Sequence, residues 1–317
     1  MMKTLIKHTD PVLLVGNGDS VASVAMCLLN AGHKINVCTG DVAAFNQLLK
    51  KYIVSQKKDT ANGAALNDLN IDTELHISND CKLVIVITQE DIQIKQQLIK
   101  RLESFIAKDA IVAINTESID LNTLQTGCIH PGRLIGLNWT EPAHTTFFLE
   151  IIASENNPGL ADEIFILAKS FWAKDPYIVK NTGIRSRLVS AMAREASFLV
   201  DNGYASVDDI DRACRNDAGY YLPFSGNCRY MDLMGTSGYG TVMKDLNPDL
   251  SKDKELPEFL KKILQNGGLG MENKKGFYSY SDKEVEKWRN TMEKFSYQIH
   301  SIIEKYPFNY NKGTFKK

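Results

Sequence analysis

Short apolar runs alternate with amphipathic segments through the first half of the chain. The runs are rich in β-branched side chains, and each is followed by a stretch with the apolar spacing of a helix. Such alternation is typical of βαβ units, whose parallel strands are buried on both faces. We predict strands at 11–16, 34–38, 82–88, 110–115 and 133–138, helices at 20–31, 42–52 and 90–106, and a polar stretch through Asn70.

The pattern changes near residues 181–183, after which helical periodicity continues without further alternation. The sequence therefore predicts an α/β fold, a Rossmann-type doubly wound parallel sheet followed by an all-helical C-terminal domain. We place the sheet domain at 1–182, the helical domain at 183–281, and an appended amphipathic helix with a tail at 282–317. The last helix carries one apolar stripe, which should dock on the body of the chain or on a partner: Val285, Trp288, Met292, Phe295, Ile299 and Ile302.

Composition narrows the class of protein. Hydrophobic residues make up 44% of the chain and charged residues 24%, as in ordinary globular proteins, and the formal net charge is −1. This balance lacks the positive field that nucleic-acid binding requires. No apolar run is long enough to cross a bilayer, and the first ten residues lack the apolar core of a signal peptide, so we expect a cytoplasmic protein. The six cysteines show no metal-binding spacing, so we expect reduced thiols and no metal.

A glycine-containing turn follows the first strand and leads directly into the first helix. Gly16 permits a tight turn and Gly18 a close approach of backbone to a pyrophosphate, beside the free N–H groups of the helix N-terminus. The third glycine of such fingerprints is Val21 here, and the second strand ends at Thr39 instead of a ribose-binding carboxylate. We expect NAD or NADP to bind weakly or not at all. An ordinary strand–turn–helix without a nucleotide is the alternative.

Several segments, taken in order across both domains, resemble the 3-hydroxyacyl-CoA dehydrogenase family. Their order and spacing, up to about residue 280, carry the resemblance. It implies an oxidoreductase of fatty acid metabolism that transfers hydride between NAD and a 3-hydroxyacyl-CoA or a related 3-hydroxy acid, and that dimerises through the helical domain. The segments are Gly16-Asn-Gly18, Ala31-Gly-His33, Glu90 with Lys95, 114–118, 133–139 followed by Pro142 and Glu150, 182–188, 194–196, 208–211 and 269–278.

The resemblance also implies where the chemistry lies. In the family an imidazole takes the proton of the 3-hydroxyl group, and a glutamate farther along the chain orients that imidazole. Glu150 matches the glutamate, but Asn138 stands at the imidazole position. An amide has no titratable proton near neutral pH, so Asn138 cannot act as a general base. The serine and the asparagine that contact the substrate in the family are Glu117 and Ser186 here.

Two further substitutions place carboxylates near the expected cofactor. Glu141 replaces the asparagine before the active-site proline of the family, and Glu272 replaces a lysine that reaches the cofactor. Carboxylates repel the phosphates of a dinucleotide or of CoA unless they are paired or protonated. The cofactor-side positions that match the family are Glu90, Lys95 and Asn115.

Three interpretations stay open at this point. An impaired or altered oxidoreductase would need a new base, for which Glu117, Glu141, Glu150 and the loop residue His144 are candidates. A catalytically degenerate protein would keep a pocket for a nucleotide or an acyl-CoA. The third hypothesis is an interaction protein built on the helical domain. We expect a small-molecule ligand and a homodimer, with neither a nucleic acid nor a membrane as partner.

Overall fold

The computed structural model describes residues 6–55, 66–75 and 81–306. Three sequence predictions fall partly outside these ranges: the absence of a signal peptide at the start, the polar stretch over 56–65, and the tail at 307–317. The chain divides into two compact units, Met1–Arg187 and Leu188–Lys317.

Eight strands form one sheet in the first unit. They are β1 (Val12–Gly16), β2 (Ile35–Cys38), β3 (Leu69–Asp72), β4 (Leu83–Ile87), β5 (Ile111–Ile114), β6 (Leu134–Trp139), β7 (Leu149–Ala153) and β8 (Tyr177–Lys180). Their order across the sheet is β3-β2-β1-β4-β5-β6-β7-β8. All neighbouring strands are parallel except β6 and β7. The direction of winding reverses between β1 and β4, so the predicted doubly wound sheet is confirmed.

Helices cover both faces of this sheet. They are α1 (Gly18–Asn30), α2 (Val42–Ser55), α3 (Ile92–Glu103), α4 (Leu121–Gln125) and α5 (Leu160–Phe171). On one face α1, α2 and α5 contribute Val24, Phe45 and Ile164 to the core. On the other face α3 and α4 contribute Leu102 and Leu124. All five side chains are at most 2% exposed, and burying one such side chain stabilises the fold by about 1.5–3 kcal/mol.

The sequence pattern does not predict three of the strands. β3 corrects the expected polar stretch through Asn70, because Leu69–Asp72 pairs with β2 at one edge of the sheet. β3 and β8 are four-residue strands at the two edges of the sheet, with half-buried and exposed residues in alternation, so their apolar signal is short. β7 is apolar and buried, but it runs antiparallel to β6 and therefore departs from the regular βα alternation.

Helices dominate the described part of the second unit, as predicted. α6 (Arg185–Asp201) begins in the first unit, and α7 (Val207–Ala213), α8 (Gly219–Met234), α9 (Thr236–Leu246), α10 (Glu258–Gln265) and α11 (Asp282–Lys305) follow. A π-helical segment, Cys214–Ala218, joins α7 to α8, and α8 bends at Gly226, where φ is 64°. Across the ranges that the structure describes, no helix combines the length and the apolar character needed to span a membrane.

The apolar side chains of the second unit are largely exposed. Between residues 188 and 306, Val285 is the only buried apolar side chain that contributes to a core. A reciprocal capping box between Ser281 and Glu284 starts α11, yet Trp288 and Phe295 on its predicted stripe are 56% and 54% exposed. Apolar faces of this extent are characteristic of surfaces that another molecule covers.

Candidate functional site

The carboxyl ends of β1, β4, β5 and β6 meet at one edge of the sheet, beside the point where the winding reverses. A cavity of about 250 Å³ opens there. Open α/β sheets bind their ligands at such a switch point. The cavity is lined by Ser20 and Ser23 of α1, Ile87 at the end of β4, Asn115 and Glu117 after β5, Trp139, Thr140, Glu141 and Ala143 at and after the end of β6, and Arg185.

Two glycines shape the turn between β1 and α1. Gly16 has a φ of 147°, and a Cβ there would lie 2.2 Å from the carbonyl oxygen of Ile87, so no larger residue fits. Gly18 lies in the left-handed region with a φ of 81°. Val21, at the position of the third glycine, is fully buried against Gly16. The turn thus brings the backbone close to the N-terminus of α1, where no side chain caps the free N–H groups.

The end of β2 is bonded to this glycine turn. The side-chain oxygen of Asn17 accepts hydrogen bonds from the Thr39 hydroxyl at 2.9 Å and from the backbone N–H of Gly40 at 2.7 Å. Thr39, predicted to stand at the ribose position, is only 3% exposed. Its hydroxyl therefore serves the protein's own structure.

A side-chain amide extends the sheet beyond the ends of β4 and β5. The side-chain oxygen of Asn115 accepts from the backbone N–H of Thr88 at 2.9 Å, and its nitrogen donates to the Thr88 carbonyl at 2.8 Å. Beneath it, the fully buried Lys95 donates to the Asn115 carbonyl at 2.7 Å and lies 3.2 Å from Glu90. Burial lowers the pKa of Lys95, although the charge of Glu90 opposes the shift.

Glu90 holds the loop that follows β5. One of its carboxylate oxygens accepts from the backbone N–H groups of Glu117, Ser118 and Ile119, at 2.8–3.0 Å. Burial would raise the pKa of Glu90, but these N–H groups and the charge of Lys95 lower it overall. Glu90 and Lys95 therefore act together to fix the cavity wall that carries Glu117.

Asn138 repeats the same amide bridge one strand farther along. Its side-chain oxygen accepts from the backbone N–H of Thr116 at 2.8 Å. Its nitrogen donates to the Thr116 carbonyl at 2.8 Å and to Glu150 at 2.9 Å. The residue is completely buried, and both of its donor hydrogens are engaged. Asn138 is thus a structural joint between β5, β6 and β7, and it does not line the cavity.

Glu150 faces Asn138 across the β6–β7 pair and is also completely buried. Besides Asn138, the Tyr177 hydroxyl and the backbone N–H groups of Ile184 and Arg185 donate to its carboxylate, at 2.8–3.1 Å. Burial and the carboxylate raise the pKa of Tyr177, so its phenol stays protonated. A negative charge that accepts from the first N–H groups of a helix is stabilising, so Glu150 anchors the start of α6.

Gly183 makes this approach of α6 possible. A Cβ at Gly183 would lie 2.3 Å from a carboxylate oxygen of Glu150 and 3.2 Å from the side-chain nitrogen of Asn138. Any other residue would therefore displace the bonded pair.

Glu117 forms a second cluster, at the cavity wall. Both of its oxygens lie 3.2 Å from the same guanidinium nitrogen of Arg185, and the Ser186 hydroxyl donates to one of them. The guanidinium of Arg185 also lies over the ring of Phe148, at 5.7 Å. The carboxylate introduced at position 117 is therefore paired, which reduces its repulsion of anions.

Glu141 also lines the cavity and contacts the first turn of α1. The Ser20 hydroxyl donates to its carboxylate. Partial burial and the nearby charge of Asp19 raise the pKa of Glu141. Two carboxyl groups therefore share the region where a helix N-terminus would bind a phosphate.

Two family models match the chain, and the boundary between them falls at Gly183. The NAD-binding domain of 3-hydroxyacyl-CoA dehydrogenase matches residues 11–182, and the C-terminal domain of the same enzyme matches residues 184–280. The chain belongs to the 3-hydroxyacyl-CoA dehydrogenase family. The predicted family is therefore confirmed, and α11 lies beyond both matched segments.

Relatives of this 3-hydroxyacyl-CoA dehydrogenase family member differ in substrate. A 5-formyl-3-hydroxy-2-methylpyridine 4-carboxylate 5-dehydrogenase of Mesorhizobium japonicum is 25% identical over 285 residues, covering 87% of this chain and 92% of the relative. A 3-hydroxybutyryl-CoA dehydrogenase of Clostridioides difficile is 23% identical over 279 residues, covering 84% and 98%. The crystal structure of a 5-formyl-3-hydroxy-2-methylpyridine 4-carboxylic acid 5-dehydrogenase, an NAD+-dependent dismutase, matches this chain with a TM-score of 0.84 at 22% sequence identity. The match covers 93% of this chain and 99% of the chain in that structure. The matches establish the family and leave the substrate open.

The NAD-binding domain of this family member keeps the steric features that a dinucleotide needs. Gly16 admits no Cβ, and the start of α1 offers uncapped N–H groups for a pyrophosphate. The carboxylate that usually ends β2 is replaced by Thr39. The residues present therefore fit the pyrophosphate of NAD, with the ribose contacts altered.

The structure brings the predicted site residues together in two pairs, and His144 lies apart from both. Asn138 contacts Glu150, and Glu117 contacts Ser186. His144 packs on the ring of Tyr52, with 4.6 Å between ring centroids, and does not line the cavity. Burial and the charge of Lys174 lower the pKa of His144 to about 4, a poor match for a base at neutral pH.

Sequence reasoning did not find four of the residues that build this site. For Arg185 and Asn17 the available signal was their position, because they lie beside Gly183 and within the Gly16–Gly18 turn, in two segments that resemble the family. Thr116 lies in the resembling segment 114–118 and Tyr177 in none, and the contacts of both depend on the geometry of neighbouring strands.

Proposed function

We propose that this protein is an oxidoreductase that transfers hydride between NAD(P) and a small 3-hydroxyacyl thioester or related 3-hydroxy acid, with Glu117 as the proton acceptor. The main support for this proposal is that Glu117 lines the cavity at the switch point, whereas Asn138 is buried outside it. The family membership and its NAD-binding domain support the reaction class.

The choice of Glu117 follows from access. A base must reach the hydroxyl group of a substrate in the cavity. Glu150 is completely buried and carries four donors, and His144 does not line the cavity. The side chain of Glu117 is 34% exposed and is held in place by Arg185 and Ser186.

Oxidation of the hydroxyl group removes one hydride and one proton from the substrate, and each has its own acceptor. A bound nicotinamide supplies the acceptor for the hydride that leaves the hydroxyl-bearing carbon. Glu117 takes the hydroxyl proton, and the carbon–oxygen bond becomes a carbonyl. Carboxylates as a class are weaker bases than imidazoles, and general-base catalysis contributes about 10²–10⁴ in rate. Turnover is therefore slow in comparison with a family member that has the imidazole.

The test follows NADH absorbance with 3-hydroxybutyryl-CoA and with free 3-hydroxybutyrate. Glu117→Gln should lower kcat at least about a hundredfold, because the amide cannot accept the proton. Glu141→Gln, the matched change at the other glutamate that lines the cavity, should retain turnover. Full activity in Glu117→Gln contradicts the assignment of the base.

The second candidate is a catalytically degenerate protein that binds a nucleotide or an acyl-CoA. It is favoured by the engagement of every donor hydrogen of Asn138 and by the pairing of Glu117 with Arg185. NADH binding without turnover of either substrate would select this candidate over the enzyme.

We also infer that the second unit associates with a second copy of the chain. Its helices expose large apolar side chains, among them Leu233 at 65% and Met234 at 61%. A helical unit with so little buried apolar surface needs a partner to reach ordinary stability. The stripe of α11 adds to that surface and lies beyond the segment that matches the family's C-terminal domain.

A further inference from the structure

The side chain of Asn17 joins the glycine turn to the end of β2. Its oxygen accepts from Thr39 and from the backbone N–H of Gly40, and a Cβ at Gly40 would lie 3.3 Å from that same oxygen. A backbone N–H can only donate, so the atom facing Gly40 must be the oxygen. The amide nitrogen of Asn17 therefore points away from these two partners.

This junction lies where dinucleotide-binding folds read the ribose of the adenosine half. A carboxylate at the end of β2 normally accepts from the ribose hydroxyls, and its charge repels the 2′-phosphate of NADP. Here the two carboxylates close to the end of β2 in the chain and in the sheet accept hydrogen bonds from backbone N–H groups. Asp41 accepts from the backbone N–H of Ala44 at the start of α2, and Asp72 accepts from the backbone N–H of Thr73.

What the junction offers instead is a neutral donor. Within 6–55, 66–75 and 81–306, the amide nitrogen of Asn17 meets no hydrogen-bond acceptor, and Asn17 itself is exposed. An amide N–H can donate to a ribose hydroxyl or to a phosphate oxygen. Because it carries no net charge, it lacks the charge repulsion that a carboxylate exerts on the 2′-phosphate and the charge attraction that an arginine exerts.

We propose that Asn17 is the residue that reads the adenosine ribose, and that its neutral amide makes the protein accept NADP and NAD alike. The inference rests on the cofactor part of the proposed function and is independent of the catalytic role of Glu117. Its test uses binding alone, so a failure of catalysis leaves it intact.

The experiment measures dissociation constants for NADH and NADPH by nucleotide fluorescence and calorimetry. In the parent protein the two constants should agree within about tenfold, a difference of about 1.4 kcal/mol. Asn17→Asp keeps the acceptor for Thr39 and Gly40 and adds one negative charge. It should weaken NADPH relative to NADH by about tenfold or more, because like charges then face each other.

Two controls separate recognition from folding and from general charge. Asp162→Asn removes one exposed negative charge from the first turn of α5 and leaves the junction with Asn17 intact, so it should leave the NADH-to-NADPH ratio unchanged. Thermal unfolding of Asn17→Asp should match that of the parent protein. An unchanged ratio in a folded Asn17→Asp protein overturns the proposal, as does strong preference of the parent for either nucleotide. Binding of neither nucleotide overturns it together with the cofactor assignment, whereas binding without turnover overturns only the catalytic role of Glu117.

Discussion

Gly183→Ala is the change that most directly perturbs the joint formed by Asn138 and Glu150. An alanine Cβ would lie 2.3 Å from one oxygen of Glu150 and 3.2 Å from the side-chain nitrogen of Asn138. The 2.3 Å distance to Glu150 is far shorter than two non-bonded atoms can adopt, so the carboxylate must move away from Asn138. Because the other oxygen holds Ile184 and Arg185, the same movement loosens the start of α6.

The magnitude follows from the bonds at stake. A hydrogen bond to a charged group contributes about 1.5–3 kcal/mol. Alanine also restricts the unfolded chain, which offsets about 0.4–1 kcal/mol of the loss. With the Asn138 bond broken and the two backbone bonds weakened, we expect the free energy of unfolding to fall by about 2–4 kcal/mol.

Urea unfolding followed by tryptophan fluorescence measures this loss, since Trp139 and Trp172 both lie in the first unit. Gly238→Ala is the matched control, because it lies inside α9 with nothing within 4 Å of its Cβ position, and it should unfold at or above the parent midpoint. A Gly183→Ala protein with the parent midpoint would refute the idea that Glu150 holds α6 through this contact.

Three further predictions concern the catalytic positions, pH and assembly. Asn138→His alone should raise oxidation of 3-hydroxybutyryl-CoA only modestly in the NADH assay, because Glu117 still occupies the cavity wall; adding Glu117→Ser and Ser186→Asn passes the role of base from Glu117 to the introduced imidazole and should raise oxidation further, because groups that act as a unit recover together; a single variant that equals the triple contradicts this. The raised pKa of Glu141 favours the protonated form in the folded protein, so its contribution to stability is greatest below the ordinary glutamate pKa and is lost as pH rises through the raised value. Glu141→Gln should therefore increase the melting temperature at pH 7 and lose that advantage near pH 4, whereas a gain that persists at low pH has another cause. Light scattering should give a dimer mass for the parent, and Phe295→Lys should shift the equilibrium toward monomer; a parent that is monomeric at micromolar concentration contradicts the inferred interface.

The sequence was sufficient for five of the eight strands and for the helical second half. Strands with continuous apolar runs, such as Leu83–Ile87, can be predicted from the sequence because burial on both faces leaves no polar position. The family resemblance implied that positions 138 and 150 belong to one site, and the structure places the two residues opposite each other on β6 and β7. The edge strands Leu69–Asp72 and Tyr177–Lys180 could not be predicted from the sequence, because every second residue in each strand is exposed to solvent.

The sequence could not predict what the site residues bond to. Glu150 seemed to lack a partner once residue 138 was an amide, yet backbone N–H groups of α6 complete its shell. The charge of Glu117 also appeared unpaired, because Arg185 reaches it only after the chain has crossed from β8 to α6. Such contacts join residues far apart in the chain, and no periodicity reports them.

The amide bridges of Asn115 and Asn138 have a consequence for motion at the cavity. Amide hydrogens just past a strand end usually exchange with solvent through local fraying. Here those of Thr88 and Thr116 are bonded to side-chain oxygens, and Asn138 is itself inaccessible. Their deuterium uptake should therefore wait for a cooperative opening of the sheet. We therefore expect hydrogen exchange to be slower at the floor of the cavity than at its rim.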